Sequence, residues 1–177
     1  YDVYSRAEAR KAAKKDELSF LNIDRPETQF PEEQDMYAAE VYQKARVMLD
    51  AQIAEGIFLT EGERCYYVYE LVMDGRHQTG IVACVAIDDY LGNVVKRHEN
   101  TREEKELDRI RHVDACDAQT GAIFLAYRGR EDINALVRQV KQEEMIYGFT
   151  AEDGVTHNVW RIADSARCKV IQDGFAA

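Results

Sequence analysis

The chain has 177 residues, 46% of them hydrophobic, which suits one domain with a sizeable core and no need of disulfide or metal staples. Its 33 acids against 23 bases leave a net charge of −10, which repels nucleic acid and anionic membranes in bulk. The four cysteines, Cys65, Cys84, Cys116 and Cys168, include no Cys-x-x-Cys pair, so they read as reduced, buried thiols rather than a zinc knuckle or a redox centre. No apolar run approaches a membrane span and no signal-peptide pattern opens the chain, so the expected location is cytoplasmic, without a membrane partner.

Ser5 with Glu8 is a capping-box pattern, and Ala7, Ala9, Ala12 and Ala13 continue a helix to about Lys15. Leu18 to Ile23 reads as a strand. Arg25 to Asp35 holds both prolines, Pro26 and Pro31, without an apolar period, and reads as a loop. From Met36 to Glu55 the residues Tyr37, Val41, Ala45, Met48, Leu49 and Ile53 recur at helical spacing, and Gly56 supplies a left-handed stop.

Cys65–Met73 and Thr79–Ile87 are rich in Tyr, Val and Ile and read as a hairpin through Asp74-Gly75, with a loop of two residues or more. Residues Ile81 to Ile87 are apolar on both faces, which predicts a central strand. Gly92-Asn93 marks a turn, after which Val94–His98 is predicted as a strand feeding a charged helix. Ile123–Tyr127 is a short strand, and Ile133–Met145 a helix with Ile133, Leu136, Val137, Val140 and Met145 inward. Thr156–Ile162 is a strand, with Trp160 as a core aromatic, and Ser165–Gln172 a helix capped by Asp164. Together these predict an α+β fold, a mixed and mostly antiparallel sheet with helices packed around it. One domain over residues 1–177 is expected, as the amino-terminal portion of a longer chain.

The run from Lys96 to His112 concentrates four arginines, two lysines and five acids around one helix start. Thr101 and Glu104 form a capping-box pattern, which predicts a helix opening at Arg102. At 100° per residue, Thr101, Lys105, Asp108 and His112 share a stripe facing a cleft, while Leu107 and Ile110 lie opposite and face the core. Arg97, His98 and Arg102 then crowd the helix start, where free amides and the dipole favour an anion. On this reading Arg97, His98, Thr101, Arg102 and Lys105 bind phosphate. Asp108, or else Glu99, is the candidate acceptor base, with Arg109, His112, Gln119, Thr120 and Gly121 as substrate or supporting residues. The competing reading is a solvated face of ordinary ion pairs. His112 and Cys116 lie one turn apart, but no third ligand stands at a recognised spacing, so no resident metal is predicted.

The run, with Ala118-Gln119-Thr120-Gly121 and Phe124-Leu125-Ala126-Tyr127-Arg128 behind it, resembles the uncharacterised bacterial and archaeal domain-of-unknown-function family 1015. Tyr1-Asp2-Val3 with Glu8-Ala9, Ser19-Phe20-Leu21 with Arg25-Pro26-Glu27, and Tyr69 through Met73-Asp74-Gly75-Arg76 with Gln78-Thr79-Gly80 carry the same resemblance. Members of that family run beyond this length and carry an Ala-Asp-Gly-His-His-Arg motif that this sequence lacks. The motif is similar to the phosphate-handling signature of ParB-like and sulfiredoxin-like proteins, a group that includes nucleotide-dependent kinases of free serine. Family members also tend to be encoded beside serine-biosynthesis enzymes. The resemblance implies phosphoryl transfer to a small hydroxyl metabolite, with ATP or ADP and magnesium as cofactors. A non-catalytic domain that senses an anionic metabolite is the rival expectation. A ParB-like nucleic-acid module is a further one, which the net charge disfavours.

Overall fold

The structure, a computed structural model, describes residues 4–97 and 100–176. In chain order the described elements are α1 (Arg6–Ala13), α2 (Leu21–Asp24), a 3₁₀ turn (Pro26–Gln29), α3 (Ala39–Ala54), β1 (Tyr66–Met73), β2 (Arg76–Val82), α4 (Ile87–Leu91), α5 (Glu103–Cys116), α6 (Glu131–Val140), β3 (Tyr147–Thr150), β4 (Thr156–Ile162) and α7 (Ser165–Phe175). Helices together with one four-stranded antiparallel sheet make the fold α+β, as the sequence predicts. The residues group into two compact units, one of 1–60 with 97–125 and one of 61–96 with 126–177.

The first unit is helical. The capping box at the start of α1 is formed: Glu8 N donates to Ser5 Oγ at 3.3 Å and Ser5 N to Glu8 Oε2 at 2.9 Å. Where Leu18–Ile23 was expected as a strand, the chain turns and forms α2. The cause is local: Leu18 N donates to Asp16 Oδ1 at 2.9 Å, and Asn22 Nδ2 to the carbonyls of Asp16 and Glu17. These side-chain bonds compete with extended backbone. Pro26 then opens the 3₁₀ turn, inside a segment expected as plain loop.

Helix α3 follows its apolar spacing, burying Val41, Tyr42, Ala45 and Leu49, and Gly56 ends it at φ 73°. Ile53, expected inward, lies exposed. Ile23, Ala45, Leu49 and Cys116 form the core of this unit, with Met48 and Phe58 packed against it. Helix α5 starts at Glu103 with Arg102 as its N-cap and no side-chain cap, so the Thr101–Glu104 box does not form.

The second unit holds the sheet, in strand order β2-β1-β4-β3, with every neighbouring pair antiparallel. Asp74 and Gly75, at φ 51° and 74°, make the two-residue turn between β1 and β2, so Met73 pairs with Arg76. Two positive φ values in succession are the hairpin geometry that matches strand twist. The inner face presents Val68, Trp160 and Ile162 to Ile133, Leu136 and Val140 of α6 and Ile171 of α7. Gly174 lets α7 approach closely, since a Cβ there would meet Ile133 Cδ1 at 2.9 Å. Helix α7 opens as read from sequence, Asp164 Oδ1 accepting from Arg167 N at 2.9 Å.

Several strand expectations fail here. The segment Ile81–Ile87 is not a central strand: β2 ends at Val82, lies at the sheet edge and is mostly exposed, and Ile87 instead opens α4. Among the described residues β2 pairs with β1 alone, and β4 takes the other side of β1, so no strand covers the outer side of β2. Val94–Arg97 and Ile123–Tyr127 are not strands, and His98 lies outside the described residues. Met145, expected inward, falls beyond the end of α6 and is exposed. Strand β3 was not read from the sequence. Of the cysteines, all free thiols, Cys116 is buried, Cys65 and Cys168 are partly covered and Cys84 is exposed.

Candidate functional site

Helix α5 is rotated opposite to the expectation from its apolar residues. Leu107 and Ile110 are 43% and 48% exposed, whereas Asp108 and His112 are 7% and 1% exposed. The inward stripe is Asp108, His112 and Cys116, spaced i, i+4, i+8 along one face. Polar side chains take that face because each meets a partner there, which removes most of the cost of burying them.

Those partners come from α2, α3 and the stretch after α5. Tyr42 Oη donates to Asp108 Oδ1 at 2.8 Å. Burial, together with that carboxylate, pushes the Tyr42 phenol well above its ordinary range. His112 Nε2 lies 2.8 Å from the Ile23 carbonyl, and Thr120 Oγ1 is 3.4 Å from His112 Nδ1. A carbonyl only accepts, so Nε2 is the donor of that bond. Arg109 Nη1 reaches Asp24 Oδ1 at 3.2 Å and Arg109 Nη2 lies 3.8 Å from Asp108 Oδ2, so one guanidinium spans two buried carboxylates. Beside them Arg25 Nε donates to Glu27 Oε1 at 2.6 Å, both side chains buried, and Arg25 Nη1 to the Tyr4 carbonyl at 3.1 Å. Arg46 Nη1 caps the far end of α5, donating to the Cys116 carbonyl at 3.0 Å.

The residues expected to hold phosphate sit elsewhere. Thr101 and Arg102 are exposed at the start of α5, and Arg102 Nη1 pairs with Glu104 Oε1 at 3.3 Å. Glu103, Glu104 and Glu106 fill the first turn, where their charges already complement the helix dipole. Arg97 is exposed and Lys105 partly covered, while His98 and Glu99 lie outside the described residues. Gln119 and Gly121 are exposed, and Asp117, left-handed at φ 50°, ends α5. Asp108, Arg109, His112 and Thr120 are thus brought into one network, joined by Asp24 and Tyr42, which sequence reasoning missed. The Arg25-Pro26-Glu27 triplet was the available signal, since it fixes the turn that follows Asp24.

His112 Nδ1 and Cys116 Sγ are 3.8 Å apart, and among the described residues no group of three or more His, Cys, Asp or Glu is placed to hold a metal ion. Among the same residues no helix is long and apolar enough to cross a membrane.

Fold and site together define an α+β protein whose helical unit encloses an acid–arginine network. The profile of a family described as a protein of unknown function (DUF1015) matches residues 1–177, and the chain belongs to that family. Curated proteins and solved structures give no match.

Proposed function

We propose that this protein transfers a phosphoryl group from ATP or ADP to a small hydroxyl metabolite, in the manner of the free-serine kinases that its family resembles. The observation that carries the reading is Arg109, whose guanidinium spans the carboxylates of Asp24 and Asp108 while its side chain stays 35% exposed. Phosphoryl transfer asks a protein mainly for positioning and charge neutralisation. Arg109 would supply a planar fork for phosphate oxygens, and Asp108 would orient the acceptor hydroxyl. Magnesium arriving with a nucleotide takes one or two carboxylates, and Asp24 and Asp108 are such a pair. The exposed cations Arg97, Arg102 and Lys105 would act in ligand approach more than in direct contact.

A second reading, a non-catalytic domain sensing an anionic metabolite, is favoured by one contact. Asp108 Oδ1 already receives the Tyr42 hydroxyl, which occupies a lone pair that a general base would use. The test is product formation by the intact protein with ATP or ADP, magnesium and hydroxyl metabolites, free serine first. Asp108→Asn is expected to lower turnover by roughly 10²-fold while nucleotide binding survives. Glu99→Gln is the matched control; a large loss there alone would move the base to Glu99. If no acceptor is phosphorylated and an anionic metabolite still binds, the sensing reading replaces the enzymatic one.

A further inference from the structure

The sheet-bearing unit contains a hollow of about 230 Å³ between the edge strand β2 and helix α6. Asn134, Arg138 and Lys141 line it from the helix side. Their spacing, i, i+4 and i+7, puts them on one stripe and makes their convergence a consequence of the helix repeat. Thr79 and Ile81 line it from β2, Val137 forms part of its apolar floor, and Tyr127 forms a wall. The Tyr127 ring is held edge-on to Phe175, with centroids 4.9 Å apart. Among the described residues no acid lines the hollow, in a protein of net charge −10.

The cations there are committed to neighbours only in part. Lys141 Nζ binds the buried Glu70 carboxylate, which also accepts from Thr79 Oγ1 at 3.0 Å and lies 3.2 Å from His77 Nδ1. An ammonium has three donors, so Lys141 keeps others for the hollow. Arg138 pairs with Glu131 on the surface, an exposed ion pair of the kind that a competing anion displaces readily. Thr79, having donated its proton to Glu70, offers lone pairs to a hydroxyl or amine.

We propose that this hollow binds a small hydroxy- or amino-carboxylate. The carboxylate would meet Arg138 and Lys141, the hydroxyl or amine Thr79 and Asn134, and the short carbon stem Val137 and Ile81. The volume lies below the roughly 300–1,000 Å³ of sites for larger ligands, which selects a few-carbon molecule over a nucleotide. The site uses none of the Asp24–Asp108 network, so its failure would leave the phosphotransfer reading standing.

The test is thermal protection and calorimetric titration of the intact protein with lactate, with inorganic phosphate and glycerol as comparison probes. Lactate is expected to bind and protect, glycerol to do neither, and phosphate to bind more weakly than lactate. Arg138→Gln alters an exposed side chain and is expected to weaken lactate binding at least about tenfold. The double variant Glu70→Gln/Lys141→Gln removes the buried pair together, avoiding a lone buried charge, and is expected to weaken it similarly. No binding of lactate, tighter binding of phosphate than of lactate, or unchanged affinity in Arg138→Gln would overturn the proposal.

Discussion

The Tyr42 hydroxyl on α3 donates to Asp108 Oδ1 on α5 at 2.8 Å, with both side chains buried. This bond joins two helices that share a small apolar core, so it bears on stability directly. Tyr42→Phe keeps the ring and deletes the donor, leaving a buried carboxylate without that partner. The expected cost is about 1.5–3 kcal/mol, read from urea unfolding midpoints. There is also a pH signature. The Tyr42 phenol is raised in the folded protein, so its contribution is full below the ordinary tyrosine value of about 10 and is lost as pH rises beyond it. The alkaline decline in stability should therefore be shallower in Tyr42→Phe, and equal declines would remove Tyr42 as its source.

His112 sits almost fully buried with Nε2 against the Ile23 carbonyl, at 2.8 Å. Long-range nitrogen–proton correlation spectra should show a protonated Nε2 for this residue. An unprotonated Nε2 would contradict the bond. His112→Ala would leave that carbonyl without its donor and open a cavity beside Cys116, with an expected loss of about 2–5 kcal/mol in unfolding free energy.

The legibility of the chain depends on whether a segment's own residues decide its structure. Ser5 with Glu8, Asp164, the Asp74-Gly75 turn and the apolar period from Val41 to Leu49 are local devices, and the corresponding elements form where they predict. Strand position in a sheet is decided by partners distant in sequence. That is why Ile81 to Ile87 reads as a central strand and yet supplies an edge followed by a short helix. The rotation of α5 is the sharpest case. Pattern reasoning assigns Leu107 and Ile110 to the core, but Tyr42 and the Ile23 carbonyl reward a polar face with hydrogen bonds. Both partners lie more than sixty positions upstream, outside any helical window. The shared stripe of Asp108 and His112 was legible; that it turns inward was not.

Gly75 tests the hairpin on its own. Its φ of 74° is left-handed, and a Cβ added there would meet nothing within 4 Å, so any penalty comes from the backbone alone. Gly75→Ala should lower stability by about 1–2 kcal/mol. Asp74→Asn, a residue that tolerates the same conformation, should be close to neutral. A neutral Gly75→Ala would mean that β1 and β2 are joined by a different turn.

Glu70 gives the acid side of the stability profile. Its carboxylate is 3% exposed on the inner face of the sheet, where burial alone would raise its pKa. Hydrogen bonds from Lys141, Thr79 and His77 outweigh that effect and hold it below the ordinary glutamate value. A group lowered on folding stabilises the protein above its unfolded value of about 4.3, and that stabilisation is lost as pH falls through the folded value. Glu70→Gln preserves size but offers Lys141 and His77 no charge. At neutral pH it should cost about 1–3 kcal/mol, because charge-assisted bonds are replaced by neutral ones. As pH falls from about 4.3 through the lowered folded value the two proteins should converge, because the folded wild-type carboxylate is protonated only there. Melting temperatures collected from pH 3 to 7, a range spanning the ordinary glutamate value, should therefore fall more steeply towards acid in the wild type. Parallel curves would show that the acid sensitivity arises elsewhere and that Glu70 is not ionised in the folded sheet.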